Sequence, residues 1–223
     1  VDVAEYAFLA GALYCWHRRW WAGCWICGAA AFLTRELGLL VIVAMAAAAL
    51  VERSWKRALA FATAAVPALL WNAHVAAIAG KTHLVPRWVE RANFIGTYQE
   101  IFNPRTYPGL PPGIETATRC LDALAVAGVV MAICLALLGL WRRTLTVESI
   151  FCALYTVVFL LVSNKRFWAD PYSYQRAFSP LAGLLAWRGL TEKRPWMAIP
   201  LLVMLVRVVW QLGPQALGIL GVR

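Results

Sequence analysis

Charged side chains are scarce in this sequence, and acidic ones are the scarcest. Only 14% of the 223 residues are Asp, Glu, Lys or Arg, and only 11 are acidic, whereas 62% are hydrophobic. Soluble domains use apolar residues for roughly half of their length, so this composition excludes an ordinary soluble domain. The charges cluster between apolar runs, which predicts an all-α polytopic membrane protein, because a spanning helix pairs its backbone groups internally.

Patterns of soluble-enzyme chemistry are also missing. The sequence contains no G-x-x-x-x-G-K-[ST], G-x-G-x-x-G or G-x-S-x-G motif, which excludes the usual nucleotide-binding and hydrolase sites. His74 and His83 have neither H-x-x-x-H nor H-E-x-x-H spacing, so we expect no metal site. No cofactor is evident, and no residue pattern supports a divalent cation. Cys24 and Cys27 match C-x-x-C but lie within an apolar run, outside the usual context of a redox site.

The net charge of +10 would suggest nucleic acid as the partner of a soluble domain. Here most Lys and Arg residues flank the apolar runs beside Trp, where they orient helices and contact lipid headgroups. We therefore expect membrane lipids as partners and no nucleic acid. The basic short loops at 17–19, 52–57, 141–146 and 188–195 fall on one side of the membrane, which is the cytoplasmic side by the positive-inside rule.

The apolar runs predict a bundle of about seven to eight membrane helices in one domain covering 1–223. The runs are Val3–Trp16, Trp20–Leu33, Leu37–Val51, Ala58–Ala79, Leu121–Leu140, Val147–Ser163, a short helix over Pro180–Trp187 with the preceding residues, and Trp196–Leu212. The first three are shorter than the roughly 20 residues of an untilted span, so they form either short helices around a cavity or a re-entrant pair. Pro67 is expected to kink its helix.

A polar segment over residues 80–120 separates the fourth and fifth runs. Apolar and aromatic residues recur at helical intervals over Arg87–Phe102, which predicts an interfacial helix. Asn103–Gly113 is rich in Pro and predicts an extended outer loop. The sequence begins at Val1 with neither an initiator Met nor a signal peptide, so we expect the chain to be part of a longer protein.

Asn164–Pro180 is the densest polar and aromatic stretch and lies between two apolar runs. We call it the polar patch; its notable side chains are Lys165, Arg166, Asp170, Tyr172, Tyr174 and Arg176. If a helix begins near residue 175, its N-terminal dipole adds to the charge of Arg176 and favours a bound phosphate. The alternative is an outer loop in contact with headgroups. Asp170 precedes a proline and is as well explained by a turn as by catalysis.

Arg35 and Glu36 lie between two short apolar runs, on the same predicted face as the polar patch. Charges at membrane depth are costly and are usually functional or paired. One interpretation is that Arg35 binds an anionic headgroup or phosphate and Glu36 orients it. The other is a helix-end pair anchored at the headgroups, since long side chains snorkel.

Two stretches carry a resemblance to a known family. Leu33–Leu40, reading L-T-R-E-L-G-L-L, and Asp170–Arg176 followed by Ser179–Leu181 resemble bacterial integral-membrane glycosyltransferases of the GT-C class. The similarity is to the mannosyl and aminoarabinose transferases that use polyprenyl-phosphate-linked sugars. It spans most of the chain, although its motifs are short.

The resemblance implies an inverting transfer of a sugar from a lipid-phosphate donor to an acceptor, at the extracytoplasmic face of the bacterial inner membrane. A carboxylate activates the acceptor hydroxyl, and basic groups neutralise the phosphate that leaves. The family's catalytic Asp lies in the first outer loop, so we expect the base upstream of this chain, with Asp170 a weak candidate. The expected substrate-binding residues are Arg35, Glu36, Arg166, Tyr172, Tyr174 and Arg176.

Two alternatives remain open at this point. A transporter or flippase would use Arg207, which lies inside the last apolar run, together with the helix that contains Pro67. A structural membrane subunit would use the 80–120 loop to dock a protein partner. No inverted repeat is visible to favour the transporter.

Overall fold

All regular elements in the described part of the chain are helical. The computed structural model describes residues 2–79, 106–107, 109–141, 145–161 and 171–219. The α-helices are α1 (Asp2–His17), α2 (Trp21–Thr34), α3 (Leu39–Val51), α4 (Trp55–Ala62), α5 (Val66–Ala79), α6 (Pro112–Trp141), α7 (Val147–Leu161), α8 (Pro171–Thr191) and α9 (Ile199–Ile219). Short 3-10 helices at Glu36–Gly38, Thr63–Ala65 and Pro195–Ala198 lead into α3, α5 and α9. The all-α prediction is confirmed for these residues.

The chain divides into two compact units. One is Val1–Glu90 with Gly139–Tyr155, and the other is Arg91–Leu138 with Thr156–Arg223. The first contains α1 to α5 and most of α7, and the second contains most of α6 with α8 and α9. The expectation of one transmembrane domain over 1–223 stays a prediction.

One buried cluster in the first unit joins α2, α3 and the Thr63–Ala65 turn. It consists of Ala29, Ile42 and Ala64, against which Trp25 and Phe32 pack. The two alanines let these elements approach closely. The predicted first three helices are confirmed to within one or two residues at each end.

Close helix packing also organises the second unit. At Gly128 of α6, an added Cβ would lie 2.9 Å from the Met204 side chain and 3.2 Å from the Pro200 carbonyl oxygen of α9. Ala125 and Ala132 of α6 are fully buried along the same helix. The absence of a side chain at Gly128 therefore allows α6 and α9 to approach closely at this point.

Pro67 changes the hydrogen bonding of its helix. It has no N–H to donate to the carbonyl of Thr63, four residues earlier. The backbone takes a 3-10 turn at Thr63–Ala65, and the Val66 N–H donates to the Thr63 carbonyl instead. At the place where the sequence predicts a kink, the structure therefore has a 3-10 turn, which joins α4 to α5.

Helix α6 begins nine residues earlier than the sequence predicts, at Pro112 and not at Leu121. Proline suits the first turn of a helix because its missing N–H has no intrahelical role there. Glu115 then lies in the first turn and pairs with Arg119 at 2.7 Å, an i,i+4 contact that supports the helix. These polar residues make the segment look like a loop, although they belong to an amphipathic helix start. The predicted interfacial helix over Arg87–Phe102 lies outside the described residues.

Two helices are long and apolar enough to cross a membrane, among the residues that the structure describes. The first runs through α4, the 3-10 turn and α5, over Trp55–Ile78 (24 residues). The second is most of α6, over Pro112–Gly139 (28 residues). Many of their large apolar side chains are exposed; for example, Leu70 is 66% and Ile78 is 74% exposed. Four shorter apolar helices have 10–17 residues. This supports an association with a membrane, and the predicted seven to eight spans stay a prediction.

Three turns between helices share one unusual geometry. Arg19, Arg53 and Lys193 have φ of 56°, 57° and 56°, in the left-handed region. Each occupies the C′ position of a Schellman motif, where glycine is the usual residue. In the first turn, Arg19 N–H donates to Trp16 O (2.9 Å) and Trp20 N–H donates to Cys15 O (2.8 Å). A side chain in this conformation costs about 1–2 kcal/mol relative to glycine.

The other two turns repeat the same hydrogen bonds. The Arg53 N–H donates to Leu50 O and the Ser54 N–H donates to Ala49 O, both at 2.8 Å. In the third turn, the Lys193 and Arg194 N–H groups donate to Leu190 O and Gly189 O at 3.3 and 2.6 Å. We refer to the segments 18–21, 52–57 and 192–196 as the basic turns.

Candidate functional site

A buried carboxylate in the first unit joins three helices. Glu5 of α1 is 1% exposed. The Tyr155 hydroxyl of α7 donates to its Oε1 at 3.3 Å, and Arg35, which follows α2, has its Nη1 3.6 Å from Oε2. We call these residues the Glu5 cluster. A buried charge is costly unless it is paired and hydrogen-bonded, and here Arg35 and Tyr155 provide both.

The backbone around Arg35 places it at the junction of two helices. Its own conformation is extended, with φ −159° and ψ 147°, and its N–H still bonds to Ala31 O. At Gly38 the chain passes so close to the end of α2 that an added Cβ would lie 2.1 Å from the Ala31 carbonyl oxygen. The Arg35 side chain remains 24% exposed, so it lies partly at the surface while its Nη1 pairs with a buried carboxylate.

The expected role of Glu36, to orient Arg35, stays a prediction. Glu36 begins the 3-10 helix after Arg35 and is exposed. Glu5 also pairs with Arg35; it lies 30 positions away in sequence and is not among the predicted site residues. A carboxylate from a neighbouring helix thus contacts Arg35.

A second polar cluster lies within the second unit. Arg207 Nε of α9 donates to Asp122 Oδ1 of α6 at 2.5 Å, and the Tyr107 hydroxyl donates to Asp122 Oδ2 at 2.5 Å. Arg207 Nη2 also lies 3.5 Å from the Tyr107 oxygen. We call these the Asp122 cluster. The side chains of Arg207 and Asp122 are only 6% and 11% exposed.

A further hydrogen bond between α6 and α9 lies beside the Asp122 cluster. One helical turn before Asp122, the Thr118 hydroxyl accepts a bond from Trp210 Nε1 at 3.3 Å. Burial raises the pKa of the Tyr107 phenol above its ordinary value, and its bond to Asp122 raises the pKa further. The phenol is therefore neutral at physiological pH and acts as the donor to Asp122. The cluster satisfies its own charges and has the character of a structural brace between α6 and α9.

A third polar contact joins the ends of two helices in the first unit. His17 Nε2 at the end of α1 lies 2.6 Å from Glu148 Oε1 in the first turn of α7. Glu148 is buried and His17 is half-exposed. This contact fixes the start of α7, the helix that carries Tyr155 to Glu5.

The polar patch is described only in part. Arg166 and Asp170 lie outside the described residues. Tyr172, Tyr174 and Arg176 lie on α8, whose side chains are described from Phe178 onward. Because α8 begins at Pro171, Arg176 is its sixth residue and stands beyond the first turn, where a helix dipole acts most strongly. The expected helix start near residue 175 is therefore corrected.

The predicted site residues belong to different units. Arg35 and Glu36 lie in the first unit and α8 lies in the second.

Histidine and cysteine side chains are the usual protein ligands of zinc. Among the described residues, no three His, Cys, Asp or Glu side chains come close enough to hold a metal ion. His74 packs near the ring of Trp71, with centroids 6.1 Å apart, and His83 lies outside the described residues. Cys24 is buried, and its thiol is 3.7 Å from the Ala12 carbonyl oxygen.

Comparison with protein-family models, with curated proteins and with solved structures finds no match for this chain.

Proposed function

We propose that this chain is the membrane-embedded part of a glycosyltransferase of the GT-C type. It would transfer a sugar from a polyprenyl-phosphate-linked donor to an acceptor at the extracytoplasmic face of a bacterial inner membrane. The observation that carries the proposal is the Glu5 cluster, in which a buried carboxylate holds a partly exposed arginine at a helix junction. That arginine belongs to the L-T-R-E-L-G stretch that resembles the family.

Membrane placement is supported by length and exposure together. Helices rise 1.5 Å per residue, so the 24 residues of Trp55–Ile78 extend roughly 36 Å, enough for a hydrocarbon layer of about 30 Å. Only 17% of its most apolar window is buried in the structure. A core helix of a soluble protein would be covered by its neighbours, whereas lipid suits an exposed apolar surface.

Arg35 fits the task of binding the donor phosphate. A guanidinium offers five N–H donors in a planar fork that suits the oxygens of a phosphate, and Arg35 is paired with Glu5, whose Oε2 lies 3.6 Å from its Nη1. Glu5 and Tyr155 hold the side chain in place, which lowers the cost of ordering it when an anion binds. Charge on a departing phosphate is stabilised best by such fixed groups.

The remaining roles follow from the chemistry of the transfer. A carboxylate takes the proton of the acceptor hydroxyl as its oxygen bonds to the anomeric carbon, and the bond from that carbon to the phosphate oxygen breaks. We assign Arg166 and Arg176 to the phosphate and Tyr172 and Tyr174 to the walls of the donor site. Asp170 is the candidate that this chain offers for the base.

Binding of a lipid phosphate tests this proposal. The full-length protein in detergent is titrated with undecaprenyl phosphate, and Arg35→Ala and Arg176→Ala are compared with the parent. Loss of one charged hydrogen bond predicts about 10- to 100-fold weaker binding. Arg119→Ala, which removes an exposed arginine of α6, is the matched control and should bind as the parent does.

Arg35→Lys separates binding from folding, because it keeps a positive charge near Glu5. We expect it to fold normally and to bind with an intermediate affinity, since Lys lacks the planar fork of donors. Unchanged binding and unchanged sugar transfer in both alanine variants would remove these arginines from the mechanism.

The transporter alternative assigned Arg207 to a translocation path. In the structure Arg207 is buried and bonded to Asp122 and Tyr107, which gives this charge a structural explanation. The geometry therefore supplies no specific observation that favours transport, and none that favours a subunit without catalysis.

A further inference from the structure

The basic turns have one feature that helix formation does not require. Among the described residues other than glycine, the three with positive φ are Arg19, Arg53 and Lys193. All three are basic, and all three occupy the position where glycine would relieve backbone strain. Strain that persists in three turns points to a use for the side chains themselves.

Ion pairing within the chain does not explain this choice. Within the described residues, none of the three side chains has a carboxylate partner, and all three are exposed. The acidic residues of these turns are engaged elsewhere: Glu52 pairs with Arg57 at 2.8 Å, and Glu192 pairs with Arg188 at 2.5 Å. The left-handed basic residues therefore direct their charge to the surroundings of the protein.

Each basic turn also carries an exposed tryptophan. Trp20, Trp55 and Trp196 are 58%, 64% and 48% exposed. Tryptophan concentrates at the headgroup level of a bilayer, where one part of the ring is apolar and the other is wet. The combination of exposed Trp with Lys or Arg fits the boundary between lipid chains and headgroups in all three turns.

The first two basic turns form one surface. Arg57, at the start of α4, lies over the ring of Trp21, at the start of α2, with 4.7 Å between its guanidinium carbon and the ring centroid. Trp21 in turn packs edge-on against Trp16 at 5.5 Å. These two turns together carry five basic residues against one acidic residue, Glu52. Such a surface attracts anions strongly.

We propose that the basic turns bind the headgroups of anionic phospholipids, with Arg19, Arg53 and Lys193 retained in the left-handed conformation because their charges contact lipid phosphates. This inference depends on the membrane placement that the proposed function also requires, and it is independent of sugar transfer. It predicts that these residues favour lipid binding at the expense of the stability of the fold.

The test uses the purified full chain in neutral detergent micelles. Phosphatidylglycerol with brominated acyl chains is titrated in, and quenching of tryptophan fluorescence gives its affinity; brominated phosphatidylcholine is the neutral comparison. The first variant combines Arg19→Gly, Arg53→Gly and Lys193→Gly. The matched control combines Arg19→Lys, Arg53→Lys and Lys193→Arg, which keeps both the charge and the backbone strain.

We expect the parent to prefer phosphatidylglycerol and the glycine variant to lose about fivefold in affinity for each basic side chain removed, or on the order of 100-fold in total. The charge-preserving variant should bind as the parent does. In neutral detergent the glycine variant should unfold at a higher temperature, by about 2–8 °C for each substitution, because the strain is relieved.

Four results would overturn the proposal. The parent binds the two lipids equally, or the glycine variant binds phosphatidylglycerol as tightly as the parent does. The unfolding midpoint of the glycine variant does not rise, or soluble glycerol phosphate at matched concentration competes for binding. The last would assign the turns to a soluble anion. None of the three residues belongs to the Glu5 cluster, so failure here leaves the undecaprenyl phosphate test unaffected.

Discussion

Asp122 and Arg207 form a buried ion pair within the second unit. Both side chains are nearly buried and bond at 2.5 Å. Removing one partner of a buried pair leaves an uncompensated charge, which costs about 3–5 kcal/mol. We predict this loss in the free energy of unfolding for Asp122→Ala, measured by denaturant unfolding in detergent micelles.

Two further variants test the reason for that loss. Arg119→Ala breaks the exposed pair with Glu115 and should cost only about 0.2–0.5 kcal/mol. The double variant Asp122→Leu with Arg207→Met removes both charges and should be more stable than Asp122→Ala alone. A double variant less stable than the single one would contradict the account of a buried charge.

Sequence reasoning identified one half of each buried pair. Arg207 stood out because it interrupts an apolar run, and Arg35 because it separates two of them. Their partners, Asp122 and Glu5, were missed because they lie near the ends of apolar runs, where a carboxylate normally faces water. Pairing across 85 and 30 positions depends on which helices pack together, which no local pattern reveals.

At the scale of the element, Gly38 controls how α3 leaves α2. A Cβ there would lie 2.1 Å from the Ala31 carbonyl oxygen and 2.5 Å from the Phe32 nitrogen. Because backbone atoms cannot move aside as a side chain can, Gly38→Ala should destabilise the fold by about 1–3 kcal/mol, the usual cost of overpacking. Thermal unfolding in detergent measures the effect.

Gly183 is the matched control within a helix. Nothing lies within 4 Å of the position where its Cβ would stand, so Gly183→Ala should stabilise α8 by about 0.5–1 kcal/mol through helix propensity. Loss of stability in both variants would mean that the close contact at Gly38 is not the cause.

Element boundaries were predictable where apolar runs end at basic residues, and not where polar residues continue a helix. Helices α1 to α3 match their runs closely because Arg19 and Arg53 mark the ends. Helix α6 was predicted too short because Glu115 and Arg119 pair along its surface. Helix α8 begins at Pro171, although the sequence suggested a later start, because its first turns are polar and aromatic.

At the scale of the whole molecule, the account depends on α6 lying in lipid. Two native cysteines report on this helix, since Cys120 and Cys134 are both exposed in the structure. Cys120 lies near the polar start of α6, whereas Cys134 lies within its apolar stretch. In water the two thiols should react alike, and in a bilayer lipid should shield only Cys134 from a hydrophilic reagent.

The most direct measurement is therefore labelling of the chain in lipid nanodiscs, where both membrane faces are open, with a charged maleimide located by mass spectrometry. We predict that Cys120 is labelled and that Cys134 is protected until the chain is unfolded by denaturant. Equal labelling of the two cysteines in intact nanodiscs would place α6 in water and contradict the account.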